Sequence, residues 1–435
     1  MTSLYHVEVF WAIYCHVHSP DVAAAGAPPL YTVLPFAVLL LTVAICPLVA
    51  AHRWKRNRNK LLASAVLGLP IFLLYLGRDP QALVHMGREY VSFIILLGGL
   101  YVIAGGILLR GDLVATPLTN TAFLGVGAVL ASLVGTTGAS MLIIRPLLQT
   151  NRERTRVAHT VVFFIFLVSN IGGMLTPLGD PPLFLGYLQG VPFLWTLRLW
   201  PPWLLMTATL LVVYVIWDGR EFAREPLGAI RRDRAEQEPL RLRGGANIVV
   251  LGGVILGVAT LDAPAREIVI VALAGLSLWK TPGTIRRANA FTVGPIVEVA
   301  VVFLGIFVTM VPALEILHLR GDELGVRSSW HFFWASGIVS SFLDNAPTYL
   351  TFLALAQSLR LSDDVVGVPH VILVAISVGS VSMGANSYIG NAPNFMVKSI
   401  AEEAGVRMPS FFGYMLFSAA VLFPLFVAVT LIFFR

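Results

Sequence analysis

Charged residues are scarce in this sequence: they make up 12% of its 435 residues, while hydrophobic residues make up 57%. A soluble protein normally carries about 25% charged residues. Apolar runs of roughly 17 or more residues recur, each long enough to cross a hydrocarbon core of about 30 Å as a helix. The composition therefore excludes an ordinary soluble domain and predicts an all-α polytopic membrane protein.

Other absences narrow the possibilities further. The two cysteines, Cys15 and Cys46, are far apart and Cys46 lies in an apolar run, so neither a disulfide nor a cysteine metal site is expected. No GxxxxGK[ST] sequence is present, which argues against ATP-driven transport by this chain alone. No cleavable signal is visible at residues 1–29. The net charge of +6 matches basic cytoplasmic loops and requires no nucleic acid partner.

Two of the apolar stretches, 119–150 and 328–358, are interrupted near their middle, by GTTGAS at 135–140 and by LDNAP at 343–347. Such interruptions predict re-entrant hairpins that enter and leave on one face of the membrane. About ten other stretches are expected to span the membrane as helices, with breaks in the two longest, 157–188 and 368–400. The remaining spans are 31–51, 61–77, 90–109, 200–217, 246–261, 265–280, 292–317 and 412–434.

The distribution of Lys and Arg supports this topology. With the N-terminus outside, the predicted cytoplasmic loops hold 21 of the 30 basic residues and the opposite face holds 8. This bias obeys the positive-inside rule only if both interrupted stretches return to the side from which they came. We therefore expect both termini to be extracytoplasmic.

The two halves of the chain show the same order of elements with opposite directions. LTPLGDPPLF (175–184) aligns without gaps with NSYIGNAPNF (386–395), and TTGASM (136–141) is placed over LDNAPT (343–348). Inverted repeats with broken helices near the membrane centre are typical of secondary transporters. The predicted division is an extracytoplasmic or interfacial segment at 1–30, a first repeat at 31–217, a solvated cytoplasmic linker at 218–245 and a second repeat at 246–435.

The four interruptions are expected to meet near the membrane centre, because irregular backbone at that depth must pack in protein or line a wet cavity. Their hydroxyl, amide and carboxylate oxygens are ligands that small hard cations prefer. A single Ser or Thr among them could equally cap a broken helix. The candidate site consists of Thr136, Thr137, Ser140, Asn170, Thr176 and Asp180 from the first half and Asp344, Asn345, Thr348, Ser382, Asn386 and Asn391 from the second.

Asp344 and Asp180 carry the strongest signal. A carboxylate at the centre of a span costs about 2.5–3.5 kcal/mol on insertion scales. An Asn or Ser would cap a helix equally well, so fold stability gives no reason for that cost. A carboxylate can hold either a proton or a cation, which is the minimum that exchange requires.

Two further charged residues lie within apolar stretches. Glu298 could relay protons, or it could pair with Arg145 or His159. Arg145 could extend its side chain to the inner surface. If it points to the site instead, it would indicate an anionic substrate.

SSFLDNAPTYLTFLA (340–354) and SVGSVSMGANSYIGNAPNFMVK (377–398) resemble the ion transporter superfamily. Its members include NhaD-type sodium/proton antiporters, citrate-transporter-like proteins, arsenite permeases and sodium/dicarboxylate symporters. The resemblance extends from about residue 35 to the C-terminus and is nearest to bacterial antiporters labelled as citrate transporters. It implies a homodimer in the bacterial inner membrane, with an elevator-type transport domain that binds its substrate at the tips and breaks. NhaD-type antiporters place Asp-Asn in the first tip, where this chain has Thr136-Thr137.

The predicted function is proton-coupled antiport of Na⁺ or Li⁺, small inorganic ions being the expected substrates. Neither enzyme activity nor a cofactor is expected. Transport of citrate, dicarboxylate or arsenite-type anions is an alternative, with Arg145 as its strongest support. A passive channel or structural subunit is a third possibility, against which the repeat symmetry and the buried acids weigh.

Overall fold

The computed structural model describes residues 27–435 apart from residues 55, 236 and 363. Most of the predicted N-terminal segment at 1–30 lies outside this part of the chain, as does Cys15. The first half contains α1 (Leu34–Val49), α2 (Asn57–Arg78), α3 (Pro80–Ala104), α4 (Pro117–Val134), α5 (Thr136–Thr150), α6 (Ala158–Leu167), α7 (Pro181–Leu188) and α8 (Trp200–Phe222). The second half contains, after α9 (Leu227–Ala235) of the linker, α10 (Ala246–Thr260), α11 (Ala265–Lys280), α12 (Gly283–Ala288), α13 (Gly294–Arg320), α14 (Ser329–Phe342), α15 (Asn345–Ser358), α16 (His370–Met383), α17 (Ala392–Glu403) and α18 (Phe411–Phe433).

Eight helical segments in the described part of the chain are long and apolar enough to cross a membrane. Seven of them coincide with predicted spans, and the eighth is α4. The predicted spans at 246–261 and 368–400 contain shorter apolar helices, and the one at 265–280 is the 16-residue helix α11. The prediction of an all-α, multi-pass membrane protein is confirmed.

Both interrupted stretches form helical hairpins, called here the first hairpin (α4 and α5) and the second hairpin (α14 and α15). Gly135 alone separates α4 from α5, and its φ of 81° lies in the left-handed region that favours glycine. In the second hairpin, Asp344 caps α15 by accepting a 3.0 Å hydrogen bond from the backbone N–H of Ala346. A short side chain with a capping oxygen is a strong helix start.

Two long spans are broken, as the sequence predicts. The first break lies between α6 and α7 and contains the 3₁₀ turn Ile171–Leu175; the second lies between α16 and α17 and contains the 3₁₀ turn Gly384–Asn386. Each following helix has a proline in its first two positions, where a missing N–H costs no helical hydrogen bond.

The same hydrogen bond ties each break to the hairpin before it. The Thr176 hydroxyl donates to the backbone carbonyl of Ser132, and the Ser387 hydroxyl donates to that of Ser341. This recurrence agrees with the aligned motifs at 175–184 and 386–395. The orientation of the halves in the membrane and the boundaries of the repeats stay predictions.

The hairpin tips align differently from the sequence prediction. Gly135 and Asp344 each occupy the cap position before the second helix of a hairpin, so Thr136 corresponds to Asn345. The predicted placement of 136–141 over 343–348 is therefore wrong by two residues. The two tips share too few residue types to fix the alignment, whereas the cap positions do.

The linker at 218–245 differs from the solvated loop that was expected. It contains α9 and strand β2 (Glu238–Arg243), which pairs antiparallel with strand β1 (Leu108–Asp112) from the first half. β1 includes the end of the predicted span at 90–109. The linker is thus a folded element that is hydrogen-bonded to the first half.

Candidate ion-binding site

Asp180 lies where all four interruptions meet, and its side chain is buried with 1% exposure. Its Oδ1 accepts hydrogen bonds from Thr136 Oγ1 at 2.9 Å and from Asn391 Nδ2 at 3.1 Å. Its Oδ2 accepts one from Asn345 Nδ2 at 2.5 Å. Thr136 and Asn345 belong to the two hairpin tips, Asp180 to the first break and Asn391 to the second. One carboxylate thus connects the four points.

Close glycine contacts shape both breaks. A Cβ on Gly179 would lie 2.0 Å from the carbonyl oxygen of Gly173, and a Cβ on Gly390 would lie 2.5 Å from that of Gly384. Only glycine, which has no Cβ, allows the two backbone segments to approach this closely. The contacts place Asp180 and Asn391, the residues that follow Gly179 and Gly390, side by side at the starts of α7 and α17.

Asp344 is placed differently from Asp180. Its side chain is partly exposed, and its Oδ1 accepts the hydrogen bond from Ala346 N that caps α15. It immediately precedes Asn345, which contacts Asp180. Of the two predicted carboxylates, Asp180 is therefore the buried meeting point and Asp344 flanks it.

Several other predicted residues hydrogen-bond to neighbouring backbone. Thr348 Oγ1 donates to Asp344 O at 2.9 Å, and Ser382 Oγ donates to Val378 O at 2.6 Å. Thr176 Oγ1 donates to the backbone carbonyl of Ser132. The Thr176 bond satisfies a carbonyl at the end of α4, which is a capping role. The bonds of Thr348 and Ser382 run to the carbonyl four residues earlier and do not cap a broken helix.

Asn386, Ser140 and Asn170 connect different elements. Asn386 Nδ2 donates to Ser341 Oγ at 2.9 Å, and the hydroxyls of Ser140 and Ser169 lie 3.0 Å apart. Asn170 Nδ2 donates to Asn394 Oδ1 at 2.7 Å, which joins the first break to the second. The roles of Ser132 and Ser341 were missed, although both are polar residues shortly before a tip in an apolar arm.

Three buried oxygens near the tips and breaks have no hydrogen-bond partner in the described part of the chain: Asn345 Oδ1, Asn170 Oδ1 and Ser380 Oγ. Leaving a buried polar atom unpaired costs about 1–3 kcal/mol. Amide and hydroxyl oxygens are also ligands of hard cations. Asn345 matters most, because its other amide atom already contacts Asp180.

A cavity of about 260 Å³ opens beside the site. Thr136, Thr137 and Gly179 line it together with Glu298 of α13. Thr137 is partly exposed there. The cavity therefore reaches the first tip and the backbone next to Asp180.

Glu298 pairs with Lys60, whose Nζ lies 2.5 Å from Glu298 Oε1. The proposed partners Arg145 and His159 were wrong; His159 instead contacts Asp218 at 2.8 Å. Lys60 falls between the predicted spans 31–51 and 61–77, which predicts a loop position, but it lies in α2 with 2% exposure. Its partner could be identified only once α2 and α13 were known to pack together.

Arg145 lines a second and larger cavity of about 990 Å³, together with Arg152, Arg154, Arg156 and Arg407. Its Nη1 is buried without a hydrogen-bond partner among the described residues. Arg145 is not among the groups that hydrogen-bond to Asp180. It belongs to a strongly basic cavity instead.

A family model described as "Putative citrate transport" matches residues 25–434. The match includes both hairpins, both breaks and the linker. No curated protein matches this chain.

Proposed function

Because the chain belongs to this family of membrane transporters, we propose that it is a proton-coupled antiporter of Na⁺ or Li⁺ with Asp180 as its exchanging carboxylate. The observation that carries the proposal is the set of three hydrogen bonds that join Asp180 to the two tips and the second break. A charge change at Asp180 would act on all of these elements at once.

The chemistry of the site favours a cation over an anion. Asp180 and Asp344 supply two carboxylates, and the side chains that hydrogen-bond to Asp180 are neutral. Among the described residues, no Lys or Arg hydrogen-bonds to Asp180, so an anion entering here would meet like charge. A cation would meet carboxylate, amide and hydroxyl oxygens, as hard ions require.

In the proposed exchange, proton and cation compete for Asp180. The cation enters as the proton leaves, and the amide of Asn345 turns so that its unpartnered Oδ1 faces the cation. The cavity beside Thr136 and Thr137 is the route by which the ion reaches the site. Movement of the hairpins and breaks as one unit, and a homodimeric scaffold, are further parts of this proposal.

Transport of a citrate-class anion is the second candidate. The description of the family and the basic cavity at Arg145 favour it. In that case the carboxylates near the tips would bind the coupling cation, and the arginines would gather the anion.

Everted membrane vesicles energised by respiration distinguish the two candidates. Addition of NaCl or LiCl, with a non-transported anion, collapses the proton gradient if the antiport proposal is right. Asp180→Asn abolishes this collapse, while the exposed control Asp322→Asn keeps it. Collapse by citrate and not by Na⁺ or Li⁺ alone would favour the second candidate, and undiminished Na⁺ response in Asp180→Asn would refute the role of Asp180.

A further inference from the structure

Three carboxylates from three separate elements converge at the junction of the linker and the first half. Asp112 ends β1, Glu153 follows α5, and Asp233 lies on α9. One carboxylate oxygen from each lies within 4.8 Å of the others. Asp112 and Asp233 are 6% and 5% exposed, so water does not screen these like charges well.

The carboxylate of Glu153, a member of this cluster, has one oxygen without a hydrogen-bond donor among the described residues. Its side chain is 8% exposed, its Oε1 accepts a 2.9 Å hydrogen bond from Arg152 Nε, and its Oε2 is buried without a partner in the described part of the chain. A buried carboxylate oxygen with no donor is costly. This free oxygen indicates that a further group belongs in the cluster.

Neighbouring groups neutralise the three acids only partly. Gln149 Nε2 donates to Asp112 Oδ2 at 3.2 Å, and Ala115 N donates to Asp233 Oδ2 at 3.1 Å. Arg154, which follows Glu153, is engaged with Asp218 at 2.6 Å.

We propose that Asp112, Glu153 and Asp233 bind a hard divalent cation, Ca²⁺ or Mg²⁺, that fastens the linker to the end of the first hairpin. Ca²⁺ takes carboxylate oxygens at about 2.3–2.6 Å, so two of its ligand oxygens lie at most about 5 Å apart; for Mg²⁺, at about 2.0–2.1 Å, the limit is about 4 Å. The observed limit of 4.8 Å meets the condition for Ca²⁺, and Mg²⁺ requires the oxygens to move slightly closer. Since α5 carries Thr136 at its start and leads to Glu153, the ion would restrain the hairpin that forms the transport site. The binding itself does not depend on which substrate is transported.

The test uses the full-length protein in detergent. After EDTA treatment and dialysis, Ca²⁺ or Mg²⁺ is titrated while bound ion is counted per chain and the Tm is followed. We expect one tightly bound ion per chain and a rise in Tm on adding it. Glu153→Gln and, separately, Asp233→Asn are expected to weaken binding by at least about tenfold. The exposed carboxylate variant Glu403→Gln is the control and should leave binding unchanged.

Two outcomes would overturn the proposal. If the three acids share protons instead of an ion, wild-type protein binds no more Ca²⁺ or Mg²⁺ than Glu153→Gln does, and Glu153→Gln has the higher Tm even at saturating Ca²⁺ or Mg²⁺ because one repelling charge is gone. Either finding overturns the proposal. The ion count on wild-type protein decides the matter even if a variant does not fold.

Discussion

Asn345 Nδ2 lies 2.5 Å from Asp180 Oδ2, which joins the tip of the second hairpin to the first break across 165 residues of sequence. The contact is buried on both sides. It makes the geometry of the two halves interdependent at one carboxylate. A substitution at either residue should therefore change the effect on stability of a substitution at the other.

A double-mutant cycle measures this interdependence. Asn345→Ala removes a hydrogen-bond donor from a buried carboxyl group and should lower stability by about 1–3 kcal/mol, the cost of leaving a buried polar atom unpaired. The loss should be smaller in an Asp180→Asn background, because the carboxyl group that accepts this hydrogen bond is then absent. Thermal unfolding in detergent gives the stabilities of the wild type, the two single variants and the double variant. Ser382→Ala is the control, since the Ser382 hydroxyl donates to a carbonyl within α16. Strict additivity of Asn345→Ala and Asp180→Asn would contradict the contact.

The glycine contacts predict position-specific intolerance. Gly179→Ala and Gly390→Ala place a methyl group 2.0 and 2.5 Å from a backbone oxygen, which cannot move aside as a side chain can. We expect each to lower stability by about 3 kcal/mol, at the upper end for overpacking. Gly77→Ala, where the added Cβ meets nothing within 4 Å, should be neutral or slightly stabilising. Equal Tm values for all three variants would show that the breaks are not closed by these contacts.

The Lys60–Glu298 pair predicts a variant that still exchanges ions. Glu298→Gln should retain proton-coupled flux in vesicles, because Glu298 lines the entry cavity as the partner of Lys60 and is not among the groups that hydrogen-bond to Asp180. The stability cost should be about 3 kcal/mol, since the substitution leaves the ammonium of Lys60, which is 2% exposed, without its charged partner. Loss of flux at unchanged stability would instead identify Glu298 as a proton relay.

Glu225 predicts a pH-dependent contribution to stability. Burial opposes its ionisation, but donors from the Thr155 backbone and hydroxyl and from Arg156 N hold the pKa of Glu225 below its ordinary value. Because the folded pKa is depressed, the stabilisation is complete above the unfolded value of about 4.3 and is lost as the pH falls through the folded pKa. Glu225→Gln should therefore have a lower Tm than wild type at pH 7 and approach it in acid. A difference that stays constant down to pH 3 would be contrary to this.

Local chemistry explains why much of the fold could be predicted. The predicted hairpin at 119–150 is α4 and α5 with Gly135 between them, and the one at 328–358 is α14 and α15. Glycine, proline and polar capping groups inside an apolar run act on their own neighbourhood, so the sequence alone reveals them.

Long-range relationships were beyond the sequence. The pairing of β1 with β2 joins residues more than a hundred positions apart, and five residues at the end of an apolar run give little strand signal. The choice of Asp180 over Asp344 as the meeting point likewise depends on where two tips and a second break come together. The convergence of Asp112, Glu153 and Asp233 depends on the folded linker, because β2 pairs with β1, which carries Asp112, and α9 carries Asp233.

Sodium binding to the purified protein tests the central claim most directly. Isothermal titration with NaCl in buffers of different protonation enthalpy yields both the affinity and the protons released. We predict that Na⁺ binding releases protons and weakens as the pH falls, and that both effects disappear in Asp180→Asn but persist in Asp322→Asn. Proton-releasing Na⁺ binding of wild-type strength in Asp180→Asn would contradict the account.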